Sequence, residues 1–245
     1  MQDLRFPDAA ALARQLAGDL AERMRQAIAE RGRVCIAVSG GSTPVLFFQA
    51  LSVQPLPWEK VLVTLVDERW VDETDEASNA GLVRRHLLKN EAARAYFLPL
   101  RNPAATAAEG FMQCENSLHE QIVRLDYAVL GMGTDGHTAS WFPHSKALAR
   151  ALNEAGGARC CPVDDAPQIA QRMTLSWSFL AGCRHLFLHF EGEEKDAVYA
   201  RATAPEQIQN LTAMPVRTVL SQSSVPLTLY RTEPATGGDD HAPAA

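Results

Sequence analysis

Asp135 and His137, one residue apart, are the pair in this sequence best suited to moving a proton at neutral pH. They lie in the stretch 126–143, DYAVLGMGTDGHTASWFP. There the apolar run from Tyr127 to Leu130 ends in Gly131 and Gly133, as a buried parallel strand does when it exits toward a ligand crevice. Thr138 and Ser140 follow and can cap a turn or a helix.

A second group suits anion binding. Val34 to Val38 (VCIAV) reads as a buried strand and runs through Ser39, Gly40, Gly41, Ser42, Thr43 and Pro44 into the helix-like VLFFQALS. Two adjacent glycines let backbone approach an anion without a Cβ clash, and a helix start offers unpaired N–H groups at the positive end of its dipole. Ser39, Ser42 and Thr43 add hydroxyls. A capped tight turn is the competing reading, and the position after a buried strand favours phosphate. Neither GxxxxGK[ST] nor GxGxxG is present, so ATP and NAD are not expected ligands.

Charged residues recur where other strands should end. Val61 to Val66 leads into Asp67, Glu68, Arg69 and Trp70, and Ser78-Asn79 then opens a helix. In an open parallel sheet the strand ends share one crevice, which would bring Asp67 and Arg69 near Ser39 to Thr43 and His137. A surface Asp–Arg pair is the alternative. Arg172 begins a short strand, RMTLS, that enters a helix. Lys195 falls in the first turn of a helix that follows the strand His185 to Phe190 and Gly192. A lysine there opposes the helix dipole unless an anion sits beside it, although a solvated Lys195 paired with Glu191 or Glu194, and a surface Arg172, also fit. His86, His119, His144, His185 and His189 carry no motif and read as packing or surface residues. No metal-ligand spacing occurs, and no metal is expected.

The elements that must position these groups are those of an α/β protein. Leu12, Leu16, Leu20, Met24 and Ile28 form one stripe of an amphipathic helix ending near Gly32. Phe97 to Leu100 reads as a short edge strand, and Pro103 to Ile122 as a helix leading into the central strand. Adjacent Cys160 and Cys161 read as strand packing. With 245 residues, 47% of them hydrophobic, the chain can bury a sizeable core, and one α/β domain over residues 1–231 is expected. Residues 232–245, rich in Gly, Pro and Ala, read as a disordered tail.

A formal net charge of −6 argues against nucleic-acid and anionic-membrane surfaces, so an anionic substrate must be met by local positive groups. Five cysteines without framework spacing fit reduced thiols. With no basic leader and no long apolar span, a cytoplasmic location is expected.

Taken in order, SGGSTP, VDERWV, SN, GMGTDGHTASWFP, RMTLS and GEEK resemble the 6-phosphogluconolactonases, a family related in fold to glucosamine-6-phosphate deaminase. The resemblance covers almost the whole chain. It implies a mostly parallel, Rossmann-like sheet flanked by helices, with a small additional β region. The activity it implies is hydrolysis of the δ-lactone of 6-phosphogluconate in the oxidative pentose phosphate pathway, without a cofactor.

The resemblance further implies a phosphate held by Gly40, Gly41, Ser42 and Thr43 with Arg172 and Lys195, a catalytic pair in Asp135 and His137, and a sugar lined by Asp67, Arg69 and Asn79. A phosphorylated sugar lactone is the implied small-molecule partner, and glucose-6-phosphate dehydrogenase a transient protein partner. The deaminases resemble DGHIAFNEP, in which a Glu partners the His; here that position is Phe142, which cannot relay a proton. A deaminase or isomerase, and a non-catalytic sugar-phosphate sensor, are the alternatives.

Overall fold

The structure, a computed structural model, describes residues 1–233. In chain order the elements are β1 (Gln2–Phe6), α1 (Ala9–Arg31), β2 (Val34–Val38), α2 (Val45–Ser52), β3 (Val61–Leu65), β4 (Asp67–Arg69), α3 (Asn79–His86) and β5 (Tyr96–Leu98). Then follow α4 (Ala107–Gln121), β6 (Tyr127–Gly131), α5 (Leu148–Ala151), β7 (Cys160–Val163), β8 (Arg172–Leu175), α6 (Trp177–Leu180), β9 (His185–Phe190), α7 (Glu193–Ala202), α8 (Arg217–Ser221) and β10 (Leu227–Thr232).

Seven strands form one sheet in the order β1-β10-β9-β6-β2-β3-β5, and every neighbouring pair is parallel. A parallel sheet covered on both faces needs strands that are apolar throughout, and VCIAV of β2 and HLFLHF of β9 are buried at every residue. The chain leaves β2 for β3 and β5 on one side, then returns to place β6 on the other side of β2. That reversal opens a crevice between the loops that follow β2 and β6, which is where doubly wound sheets bind ligands.

Helix α1 covers the sheet with the stripe read from its sequence: Leu12, Leu16, Leu20, Met24 and Ile28 are all buried. Asp8 caps its start by accepting the Ala11 N–H at 2.7 Å, and Gly32 ends it in the left-handed conformation. Truncating Leu20 to Ala would cost about 2–5 kcal/mol.

Two expectations change. Val61 to Val66 and the charged run after it are not one strand and its loop, because Asp67–Arg69 forms β4 in a second sheet. That sheet has the order β4-β8-β7 and is antiparallel. Helix α4 begins at Ala107, not near Pro103, since Thr106 and Glu109 make a capping box there. The N-terminal QDLRF is an edge strand, β1, paired with β10. Strand β10 extends to Thr232, and the Glu233 N–H donates to the Phe6 carbonyl at 2.7 Å. The rest of the expected tail, 234–245, lies outside the described residues. Among those described, no helix is long and apolar enough to cross a membrane.

Candidate active site

The crevice between β2 and β6 holds a cavity of about 220 Å³. It is lined by Ser39, Gly40, Gly41, Ser42, Thr43, Asp67, Arg69, Asn79, His137, Arg172 and Lys195, which is every residue singled out from the sequence except Asp135.

The floor is built by the loops after β2 and β6, tied together where Ser39 Oγ accepts the Gly131 N–H at 3.2 Å. Helix α2 follows Pro44 with no side chain capping its start; the Val45 N–H reaches the Ser42 carbonyl at 3.4 Å, and the positive end of the helix lies beside Gly40 to Thr43. Gly40 is required by its neighbour: a Cβ there would lie 1.9 Å from Asn79 Oδ1. Across the cavity, Lys195 Nζ donates to Thr43 Oγ1 at 3.1 Å. Neither Glu191 nor Glu194 forms an ion pair with it, and burial holds its ammonium below the ordinary lysine value.

The loop after β6 presents the acid and the imidazole together. Asp135 Oδ1 accepts the His137 backbone N–H at 3.0 Å and lies 2.5 Å from His137 Nδ1. Because an ionised carboxylate only accepts, that contact puts the proton on Nδ1 and leaves Nε2 as the basic nitrogen. Burial acts to raise the Asp135 carboxyl, but the hydrogen bonds and charge of His137 outweigh it and hold the acid below its ordinary value. Asp135 itself does not line the cavity; it stands behind the histidine. Gly133 makes this arrangement possible, since a Cβ there would lie 2.2 Å from the imidazole. Beside it Ala139, with φ 51°, holds the left-handed conformation that non-glycine residues rarely adopt.

The small sheet supplies the third wall. Cross-strand register sets Arg69 opposite Arg172, and Asp67 opposite Thr174. Arg172 is only 6% exposed. Its Nε and Nη2 donate to the carbonyls of Ile169 and Pro167, and Nη1 lies 3.9 Å from Asp67 Oδ2. Desolvation lowers its pKa, Asp67 opposes that shift, and Arg69 adds to it. Arg69 Nη1 donates to the Ala77 carbonyl at 2.6 Å, while its buried Nε has no partner. Like charges directly opposed on a sheet are destabilising, and an anion between two guanidinium groups relieves that repulsion.

Asp67, buried, accepts from Ser140 Oγ at 2.5 Å and from Asn79 Nδ2, whose other bond goes to the Asp67 carbonyl at 2.8 Å. It is therefore not part of a surface Asp–Arg pair. Glu68 has a structural task, accepting the N–H groups of Arg69, Asn79 and Ala80 at the start of α3. Among the described residues no group of three or more His, Cys, Asp or Glu side chains is arranged to hold a metal ion.

Sequence reasoning missed three contributors. Ser140 ties the loop after β6 to Asp67. Phe142 lies between the two charged ends, with its ring centroid 4.6 Å from that of His137 and 5.0 Å from the Arg172 guanidinium carbon. His189 was read as a packing residue, and it does line the cavity. A strand buried at every position has no alternation to show which side chain faces a ligand; the one signal was its place six residues before Lys195.

A family model described as Glucosamine-6-phosphate isomerases/6-phosphogluconolactonase matches residues 7–228. The chain belongs to this family. Within the family it is similar to the 6-phosphogluconolactonase of Pseudomonas aeruginosa, 46% identical with 91% of each chain covered. It is also similar to that of Mesorhizobium japonicum, 42% identical with 92% of each covered. Among solved structures, the 6-phosphogluconolactonase of Shewanella baltica OS155 superposes with a TM-score of 0.91 at 39% identity, covering 95% of this chain and 98% of that one. The family's mostly parallel sheet is thus the large sheet seen here.

Proposed function

We propose that this chain hydrolyses 6-phospho-D-glucono-1,5-lactone to 6-phospho-D-gluconate, with His137 as the base. The observation that carries the reading is one cavity holding an imidazole, oriented by a carboxylate, and a glycine loop faced by a half-buried lysine. The family membership and the relatives' names support the same substrate.

In this reading the Gly40 to Thr43 loop, Lys195 and Arg172 hold the phosphate, which does not react, and its binding energy places the lactone carbonyl. His137 Nε2 takes a proton from water as the water oxygen bonds to C1. Collapse of the tetrahedral adduct breaks the bond from C1 to the ring oxygen, which leaves with the proton returned by His137. Asp135 fixes the tautomer and stabilises the transient imidazolium. Arg69, which lines the cavity, supplies the positive charge for the developing oxyanion. Asp67 and Asn79 face the sugar. A ring at Phe142 removes the proton relay that a deaminase of the DGHIAFNEP pattern has, and lactone hydrolysis does not need that relay. A cytoplasmic location and a transient association with glucose-6-phosphate dehydrogenase belong to the same reading.

The test is acid release from freshly generated lactone over the spontaneous background, for the wild type and for His137→Ala. Acceleration by the wild type, lost in a variant that still binds 6-phosphogluconate, is the expected result. Full activity in the variant overturns the role of His137. An inactive wild type returns the deaminase and sensor alternatives.

A further inference from the structure

His189 has no part in the mechanism above, yet it lines the cavity and its side chain is only 2% exposed. Its Nε2 lies 2.8 Å from Oε1 of Glu191, the first residue after β9 and before the turn into α7. A carboxylate only accepts, so Nε2 carries the proton and His189 is the donor. Four residues past Glu191 stands Lys195, which donates to Thr43 and makes no ion pair with Glu191. The Glu191 charge still reaches that ammonium, opposing the lowering of its pKa by burial. An untethered carboxylate at this place would act twice against an anionic ligand, by repelling it and by competing for the lysine.

We propose that His189 is a positioning residue that ties Glu191 back from Lys195, keeping the ammonium open to a phosphate dianion. The inference rests on the reading of the glycine loop and Lys195 as a phosphate site. It extends that reading by assigning a residue whose task is to hold a wrong charge away.

The test compares the wild type with His189→Leu, Glu191→Gln and the double variant, using KM and kcat for the lactone and the Kd of 6-phosphogluconate by titration calorimetry. His189→Leu should raise KM and Kd about 10-fold with kcat little changed. Adding Glu191→Gln should bring both back toward wild type, and Glu191→Gln alone should change little. His189→Gln, which keeps a donor able to reach Glu191, should retain most of the affinity. If the double variant binds as weakly as His189→Leu, His189 contacts the ligand or packs the site, and the proposal fails. Should His189→Leu not fold, His189→Asn, whose amide is too short to hold Glu191, carries the same comparison with and without Glu191→Gln. A wild type that fails to bind 6-phosphogluconate removes the phosphate reading itself, whereas binding that is indifferent to every His189 variant removes this inference alone.

Discussion

The two sheets bring chemistry to the cleft in opposite ways. The seven-stranded sheet keeps its inner strands almost wholly apolar, and most of its site residues come from the loops beyond them, Ser39 to Thr43 after β2 and Asp135 to His137 after β6, with His189 on β9 as the exception. The three-stranded sheet carries function within the strands: Asp67 and Arg69 sit on β4, and Arg172 on β8. A buried parallel strand has helices on both faces and no side on which a charge could stay solvated. In the short antiparallel sheet Asp67 and Arg172 are buried as well, but each has polar partners: Ser140 and Asn79 for Asp67, and the Ile169 and Pro167 carbonyls for Arg172. The lesson is one of placement: the glycine loop and the Asp135–His137 pair stand at loop ends, whereas the guanidinium groups of Arg69 and Arg172 stand on strands.

The comparison is broken or sharpened by substitutions in each sheet. Under the proposed mechanism His137→Ala should have the largest effect, lowering kcat about 10³-fold with little change in KM, because it would remove the general base and leave the phosphate contacts in place. Steady-state kinetics of the lactone reaction reads both constants.

Arg172→Gln comes next. It should raise KM about 10- to 100-fold while kcat falls far less, as expected when a charge-assisted contact made throughout the reaction is lost. A circular-dichroism melt confirms that the variant is folded. If kcat falls and KM holds, the phosphate-holding role of Arg172 is wrong.

Phe142→Leu tests the link between them. The ring packs between His137 and the Arg172 guanidinium, so its loss should lower kcat up to about 10-fold by loosening the imidazole. Phe142→Tyr should restore most of the rate.

The smallest effect is expected at Asp3, where charge in the large sheet is structural. Asp3 takes two hydrogen bonds from Arg231, which hold edge strand β1 to β10 and keep the Asp3 carboxyl below its ordinary value despite partial burial. A depressed acid stabilises the fold above its unfolded pKa and loses that contribution as pH falls through the folded one. Asp3→Asn should therefore melt slightly below wild type at pH 7, and the gap should close under acid conditions. Both kcat and KM should stay unchanged at pH 7.

Much of this was legible in the chain. The stripe from Leu12 to Ile28, the apolar runs of β2, β6 and β9, and the glycines at the strand ends are local patterns, and local patterns survive without knowledge of the fold. So did the pairing of Asp135 with His137, because the two are joined through a tight turn. Strand β1 was not legible, since a short polar edge strand such as QDLRF has no pattern beyond its pairing with β10.

The class of fold and the types of group available for chemistry are local properties of the chain, because strand burial, glycine turns and helix starts are set by near neighbours along it. Only the tertiary structure decided which groups meet. The facing of Arg69 and Arg172, the ring of Phe142 between His137 and Arg172, the bond of Ser140 to Asp67 and the entry of His189 into the cavity all join residues whose pairing depends on strand order, register and packing. Those are chosen by the burial of the whole apolar surface at once, and no single segment carries that information.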